Sequence, residues 1–323
     1  MPTVLVTGCA GFIGSHLCER LLREGHHVIG LDNFDPFYAR ALKETNLSGC
    51  RAHPRFTFHE FDLNAGPEAL RALLAGPVAA VVHLAAKAGV GPSVREPAAY
   101  LTTNVLGTTH LLEWMRQTGT ARLLFASSSS VYGNTPQRPF REDAPLLQAC
   151  ISPYAASKLA GELLTHTYHH LYKMSVLNAR FFTVYGPRQR PDLAIHKFVR
   201  LLRAGRPVPV FGDGSTARDY TFVLDTVDGV ARGVAYLLAQ DPATPIYETI
   251  NLGNHLPVPL LELIKAVGEA VGVRPQLEFQ PMQAGDVDVT YADISRARAL
   301  LGYAPQTPLA EGLRQFVAWL DGQ

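Results

Sequence analysis

Tyr154 and Lys158, in the run Tyr154-Ala155-Ala156-Ser157-Lys158, stand four residues apart and could together turn a phenol into a base. On a helix that spacing puts both side chains on one face, which brings the Lys158 ammonium near the Tyr154 ring. A free tyrosine ionises near pH ~10, and a neighbouring cation moves that value towards the working range of a general base. The chain has 12 tyrosines, and the same spacing also suits an amphipathic helix with a half-exposed tyrosine and a solvated lysine. What separates the two readings is whether the rest of the chain supplies a partner for a phenolate.

The amino terminus supplies one. Residues 3–7 read as a strand, followed at once by Gly8-Cys9-Ala10-Gly11-Phe12-Ile13-Gly14 and a helix over about 15–24. This is the strand, glycine turn and helix of a dinucleotide site, where backbone N–H groups and the positive helix end approach a pyrophosphate. The spacing is Gly-x-x-Gly-x-x-Gly, so the usual Gly-x-Gly-x-x-Gly fingerprint is only partly met, and a sharp turn without ligand is the competing explanation. Asp32 ends the second strand, where a carboxylate would accept the adenine-ribose hydroxyls and repel a 2′-phosphate, favouring NAD over NADP. A turn-forming aspartate before Asn33 is the alternative there. A positively charged nicotinamide beside Tyr154 would favour the phenolate further.

Short apolar runs at 4–6, 27–31, 56–61, 79–84 and 123–126, with a sixth at 175–181, alternate with helix-length segments. That alternation predicts an α/β fold with a doubly wound parallel sheet. Pro- and Gly-rich text around Tyr185-Gly186-Pro187-Arg188 and Gly205-Arg206-Pro207 suggests a change of domain. Residues 1–180 are expected to form a dinucleotide-binding domain, and 181–323 a smaller substrate lobe, with segments near 220–250 able to pack back on the first domain. Strands are expected at 208–211 and 248–252, and helices at 226–239, 260–271 and 309–320.

Composition narrows the partners. The formal net charge of +1 gives no electrostatic case for nucleic acid or an anionic membrane. No segment reaches the roughly 18 apolar residues of a membrane span, and the first residues lack the basic head and apolar stretch of a secretory signal. Cys9, Cys18, Cys50 and Cys150 show no Cys-x-x-Cys pairing, which suits reduced cytoplasmic thiols. His166 and His170 have a metal-compatible spacing on one helix, but without a His-Glu-x-x-His order no metal site is expected.

With these elements in order, the chain resembles the extended short-chain dehydrogenase/reductase family, and within it the nucleotide-sugar 4-epimerases. The likeness is carried by the glycine turn, Asp32-Asn33-Phe34, Asp62-Leu63, His83-Leu84-Ala85-Ala86-Lys87-Ala88-Gly89-Val90, Asn104, Ser127-Ser128-Ser129-Ser130-Val131-Tyr132-Gly133, the Tyr154 motif, 180–190 and Arg218-Asp219-Tyr220. The resemblance implies a tightly held NAD contacted by Gly8, Gly11, Phe12, Ile13, Gly14, Asp32 and Asn33. It also implies that Asp62 and Leu63 border the adenine, that Leu84, Ala85, Ala86, Lys87 and Asn104 line the cofactor, and that Phe181, Tyr154 and Lys158 face it. Catalysis is implied for Tyr154, Lys158 and Ser128: the Tyr154 phenolate takes the proton of the sugar 4-hydroxyl while hydride passes from C4 to NAD⁺. The 4-keto sugar then turns in its pocket and hydride returns to the opposite face, so C4 inverts without net redox change.

Related dehydratases carry an Asp-Glu pair in the serine segment, and related decarboxylases a Glu. Here that segment holds no carboxylate, which favours epimerisation over elimination. The stretch Phe182-Thr183-Val184-Tyr185-Gly186-Pro187-Arg188-Gln189-Arg190-Pro191-Asp192 is similar to that of UDP-glucuronate 4-epimerases, which implies sugar contacts from Thr183 and Arg190, the latter forking onto a uronate carboxylate. Ser128, Ser129 and Tyr154 would meet the reacting sugar, Lys197 and Arg218 the diphosphate and neighbouring groups, and the backbone near Val210 and Phe211 would flank the uracil. Tyr291-Ala292-Asp293-Ile294 and Gly285-Asp286-Val287 are also similar to that subgroup. Gly91 departs from it, because glucuronate epimerases usually place an arginine there. UDP-glucose and UDP-N-acetylglucosamine therefore stay open as substrates, as does a sugar-nucleotide reductase or dehydrogenase, and a non-catalytic nucleotide-binding module stands as the rival class. In relatives the helix over 98–118 and the one carrying Tyr154 pair across a dimer, which implies a homodimer.

Overall fold

Parallel strands covered by helices on both faces must be apolar along their whole length, and the runs of the first half meet that demand. Val4, Leu5 and Val6 are fully buried, as are Ala80, Val81 and Val82. In a computed structural model, which describes residues 1–146, 150–281 and 287–322, the runs form alternating strands and helices. These are β1 (Thr3–Thr7), α1 (Phe12–Arg23), β2 (His27–Asp32), α2 (Arg40–Arg51), β3 (Phe56–Glu60), α3 (Pro67–Leu73), β4 (Ala80–His83), α4 (Val90–Arg95), α5 (Pro97–Leu101), α6 (Gly107–Thr118) and β5 (Arg122–Ser128). There follow α7 (Pro153–Tyr172), β6 (Ser175–Phe181), β7 (Thr183–Tyr185), α8 (Ala194–Arg203), β8 (Val208–Phe211), β9 (Ala217–Phe222), α9 (Val223–Ala239), β10 (Tyr247–Leu252), β11 (Pro257–Pro259), α10 (Leu260–Val271), β12 (Leu277–Gln280), α11 (Ser295–Leu301) and α12 (Leu309–Asp321). Residues 285 and 286 of the carboxyl-terminal likeness lie outside the described residues.

The main sheet has seven strands in the order β10-β6-β5-β4-β1-β2-β3, every neighbouring pair parallel. Strand order reverses between β1 and β4, and in such sheets ligands bind in the crevice beyond the strand ends at that point. Of residues 220–250, those of α9 pack on this sheet and those of β10 join it. The 248–252 strand, which the sequence places among those of the smaller lobe, is β10, paired with β6 from Tyr247↔Val176 to Leu252↔Phe181. Helix α9 packs on α1, β5 and β6; Gly233 lets it come close, since a Cβ there would stand 2.8 Å from a Leu124 methyl. The smaller lobe contains a three-stranded sheet, β11-β9-β7, and the parallel pair β12-β8.

Two close approaches set the site. A Cβ on Gly14 would stand 2.1 Å from the Gly8 carbonyl oxygen, so glycine is what lets α1 begin directly on the turn after β1. A Cβ on Gly161 would stand 2.3 Å from the Phe125 ring, so glycine lets α7 lie down on β5 and lowers Tyr154 and Lys158 towards the strand ends. The helix expected over 98–118 is broken into α5 and α6 by a π-helical turn at Thr102–Leu106. Such single-turn interruptions often occur where a side chain must be re-aimed, and Asn104 sits in this one.

Candidate active site

A cleft of about 950 Å³ runs from the glycine turn, past the ends of β1, β4 and β5, to the smaller lobe. Gly8, Gly11, Phe12, Ile13 and Gly14 line one end of it. Helix α1 has Gly11 at its N-cap and no side-chain cap, which leaves first-turn N–H groups for an anion. Gly8 is held at φ 72°, and a Cβ there would stand 2.8 Å from the Ala85 nitrogen. Asp32 and Asn33 lie across the turn on the same cleft. The Asp32 carboxylate accepts from the Ala10 and Phe34 N–H groups at 3.1 and 2.9 Å, and burial pushes its pKa up against the pull of Lys43 and these N–H groups. An uncapped helix end, a glycine-lined floor and a buried carboxylate fit a dinucleotide.

Asp62 and Leu63 reach the cleft, where Asp62 accepts from Asn33 Nδ2 at 3.1 Å. Leu84, Ala85, Ala86 and Lys87 form a strip along its middle. Buried bonds hold that strip: the Ala85 N–H donates to Thr7 Oγ1 at 3.2 Å, Thr7 pairs with His83 at 2.7 Å, and His83 with Thr108 at 2.9 Å. Desolvation lowers the His83 pKa to about 3, so this imidazole is neutral at ordinary pH.

Asn104 does not line the cleft. Its Oδ1 accepts from the Lys87 N–H at 2.8 Å, and its Nδ2 donates to the Lys87 carbonyl and Ser157 Oγ, each at 2.9 Å. It ties the strip to α7 from behind, because the π-helical turn rotates it inward. Ser129 sits in the turn that follows β5 and does not line the cleft, whereas Ser127 and Ser128 do. In the smaller lobe the alternation of β8 buries the Val210 side chain and presents Pro209 and Phe211 to the cleft. Phe181, Thr183, Arg190, Lys197 and Arg218 line the cleft wall.

Tyr154 and Lys158 converge with Ser128 on this cleft. Lys158 Nζ donates to the Ala126 carbonyl at 2.7 Å, the acceptor that β5 offers a buried amine. Burial lowers its pKa to about 8, with the Glu162 charge acting in the opposite direction. Burial raises the Tyr154 pKa above 10.0, while a hydrogen bond with Ser128 and the charge of Arg190 work to lower it. Tyr100 steadies the ring edge-on, with centroids 6.2 Å apart. Behind the site Glu162 accepts from Ser127 Oγ and takes both arms of Arg180, at 2.9 and 2.7 Å, and Arg180 also donates to Tyr132 Oη at 2.8 Å.

Several lining residues escaped the sequence reading, among them Tyr38, Lys43, Arg95 and Asp192. Asp192 takes a two-point bond from Arg190, and Lys43 Nζ donates to the Asp35 carbonyl at 2.8 Å. The one available signal was position, since Tyr38 and Lys43 closely follow Asp32. Of the histidines, His166 packs edge-on against Tyr247 at 5.0 Å, and His169 bonds the Met174 carbonyl at 2.8 Å.

A parallel sheet with a crossover at its centre, a glycine turn under an uncapped helix and a Tyr/Lys/Ser cluster define an NAD(P)-type short-chain dehydrogenase/reductase scaffold. Residues 5–316 match the family described as GDP-mannose 4,6 dehydratase, and the chain belongs to that family of extended short-chain dehydrogenases/reductases. It is 40% identical over 323 residues to a UDP-glucuronate 4-epimerase of Thermodesulfobacterium geofontis, covering 99% of this chain and 96% of that one. Among solved structures it is similar to the UDP-glucuronic acid 4-epimerase of Bacillus cereus in complex with UDP-glucuronic acid and NAD, at 34% identity, TM-score 0.90 and 99% of both chains. It is also similar to the UDP-glucose 4-epimerase of Thermotoga maritima with UDP-glucose, at 30% identity, TM-score 0.86 and 99% of both chains.

Proposed function

We propose that this protein is an isomerase that inverts C4 of a UDP-sugar with a tightly held NAD, converting UDP-glucuronate and UDP-galacturonate into one another. The observation that carries the reading is the meeting of Tyr154, Lys158 and Ser128 with the glycine turn and Asp32 in one cleft. Bound NAD supplies the acceptor and donor of hydride at C4. Tyr154 takes the proton of the 4-hydroxyl and later returns it, and Ser128 holds that hydroxyl in place. Lys158, anchored on the Ala126 carbonyl, keeps a positive charge beneath the site and holds the cofactor end of the cleft. The serine segment carries no carboxylate, so the acid that a dehydratase needs is missing although the family takes its description from one.

A second reading, UDP-glucose 4-epimerase, is favoured by one observation: Arg190, the expected uronate fork, already gives both arms to Asp192. Incubation with UDP-glucuronate, UDP-glucose and UDP-N-acetylglucosamine in turn, followed in the anomeric region by NMR, separates the two. UDP-galacturonate is expected from UDP-glucuronate. Conversion of UDP-glucose alone would replace the uronate reading, and no conversion of any would remove the epimerase.

No helix among the described residues is long and apolar enough to cross a membrane. We place the enzyme in the cytoplasm, where its four free thiols, three of them buried, suit a reducing environment. We also infer a homodimer. Leu106, in the turn after α5, and Leu163 and Leu171, on α7, are 46%, 64% and 57% exposed, apolar surface that a second copy would cover. Light scattering is expected to give twice the 35.2 kDa chain mass, and a monomer would overturn this.

A further inference from the structure

An acidic sugar needs a cation that is not already neutralised, and most cations on the cleft are engaged. Arg190 Nε donates to Asp192 Oδ1 at 3.0 Å and Nη2 to Oδ2 at 2.7 Å, and its plane lies 4.8 Å from the Phe37 ring centroid. Lys87 is paired with Asp35 at 3.0 Å, and Lys158 is held by the Ala126 carbonyl. An incoming carboxylate beside Arg190 therefore meets a neutral pair, with Asp192 partly exposed towards it.

Lys197 and Arg95 also line the cleft, and among the described residues neither side chain has an acidic partner or a hydrogen bond; Lys197 is read above as meeting the diphosphate, which leaves Arg95. It closes α4, four residues after Gly91 and therefore on the same helix face. Side chains on a helix lean towards its N-terminus, so the Arg95 side chain is directed along the face that carries Gly91 without covering it. That position is open, since a Cβ built on Gly91 meets nothing within 4 Å. Gly91 in turn lies two residues from Gly89, whose Cβ position is 3.8 Å from Arg190 Nη2. The space that Gly91 leaves open thus lies within reach of another arginine, one turn along the helix.

We propose that Arg95 is the specificity-determining contact for the acidic group of the sugar, reaching the carboxylate through the space over Gly91. This rests on the uronate reading given above. Arg190, clamped by Asp192, shapes the wall beside it, and Arg95 supplies the uncompensated charge in a planar fork suited to a carboxylate. Because Arg95 is exposed, its contribution should weaken as salt rises.

The test is calorimetry on the NAD-loaded protein with UDP-glucuronate, UDP-glucose and UDP alone. In Arg95→Ala the preference for UDP-glucuronate over UDP-glucose is expected to fall about tenfold, the worth of one charge-assisted contact. Adding Gly91→Arg to that variant is expected to restore most of the preference, because the new guanidinium enters the same space. An unchanged preference in Arg95→Ala, with UDP-glucuronate still bound by the wild type, would overturn the assignment to Arg95 alone. A wild type that binds UDP-glucose and not UDP-glucuronate would overturn the uronate reading and this assignment together.

Discussion

Tyr154→Phe is expected to lower UDP-sugar conversion by about 10³-fold, within the range lost when a positioned acid/base is removed. The substitution deletes one oxygen from a ring that Tyr100 continues to steady. Bound NAD should stay in place and stability should change by no more than about 1 kcal/mol, the worth of a single hydrogen bond. The phenol does not ionise easily by itself: burial raises its pKa, and the opposing influences are the Ser128 bond and the Arg190 charge. Ser128→Ala should therefore also slow conversion, and the pH at which activity rises should move upward, because a cause that lowers the Tyr154 pKa is gone. Activity retained in Tyr154→Phe, assayed by NMR with NAD occupancy measured by absorbance, would remove Tyr154 from the mechanism.

The second large effect is expected at Glu162. Its carboxylate is buried with Arg180, at 7% and 4% side-chain exposure, and it also accepts from Ser127. Glu162→Ala leaves the Arg180 charge buried with Tyr132 and a backbone carbonyl, and breaking such a pair costs about 3–5 kcal/mol. Urea unfolding should show this as a lower midpoint at unchanged slope. Glu162→Gln adds an electrostatic readout. Burial holds the Lys158 pKa at about 8, below its ordinary 10.5, and Glu162 is the influence that raises it. A lysine depressed in the folded state penalises stability at pH below about 8, and that penalty disappears as pH rises towards 10.5. Without the carboxylate the Lys158 pKa falls further, the cation is lost at lower pH, and the alkaline fall in activity moves to lower pH. An alkaline limb that stays where it was would mean that Lys158 does not set it.

Much of the first domain was legible because its strands are continuous apolar runs and its glycines stand where backbone must meet backbone. Gly8 and Gly14 are examples: their Cβ positions are filled by Ala85 and by the Gly8 carbonyl. The partner of β10 was not legible, since nothing in Tyr247-Glu248-Thr249-Ile250-Asn251-Leu252 says which strand it joins. Strands β7 and β11 have only three residues each, too few to show a period. The face of β8 was undetermined for a related reason. Alternation requires Val210 and its neighbours to point opposite ways, and only packing on the lobe decides that Val210 goes inside. Asn104 was recognised, but its position behind Lys87 depends on a π-helical turn that no residue type announces. For Lys158 the hydrogen bond was not legible, because spacing within α7 cannot foresee the carbonyl that β5 places beneath it.

The central claim is that hydride leaves C4 and returns to the same carbon within one closed site. The measurement that tests it most directly is turnover of UDP-glucuronate carrying deuterium at C4, followed by NMR and mass spectrometry. The expected product is UDP-galacturonate with the deuterium still at C4, with no net NADH and no exchange with added NAD. Loss of the deuterium, its appearance in free NADH, or a product unchanged at C4 would contradict it.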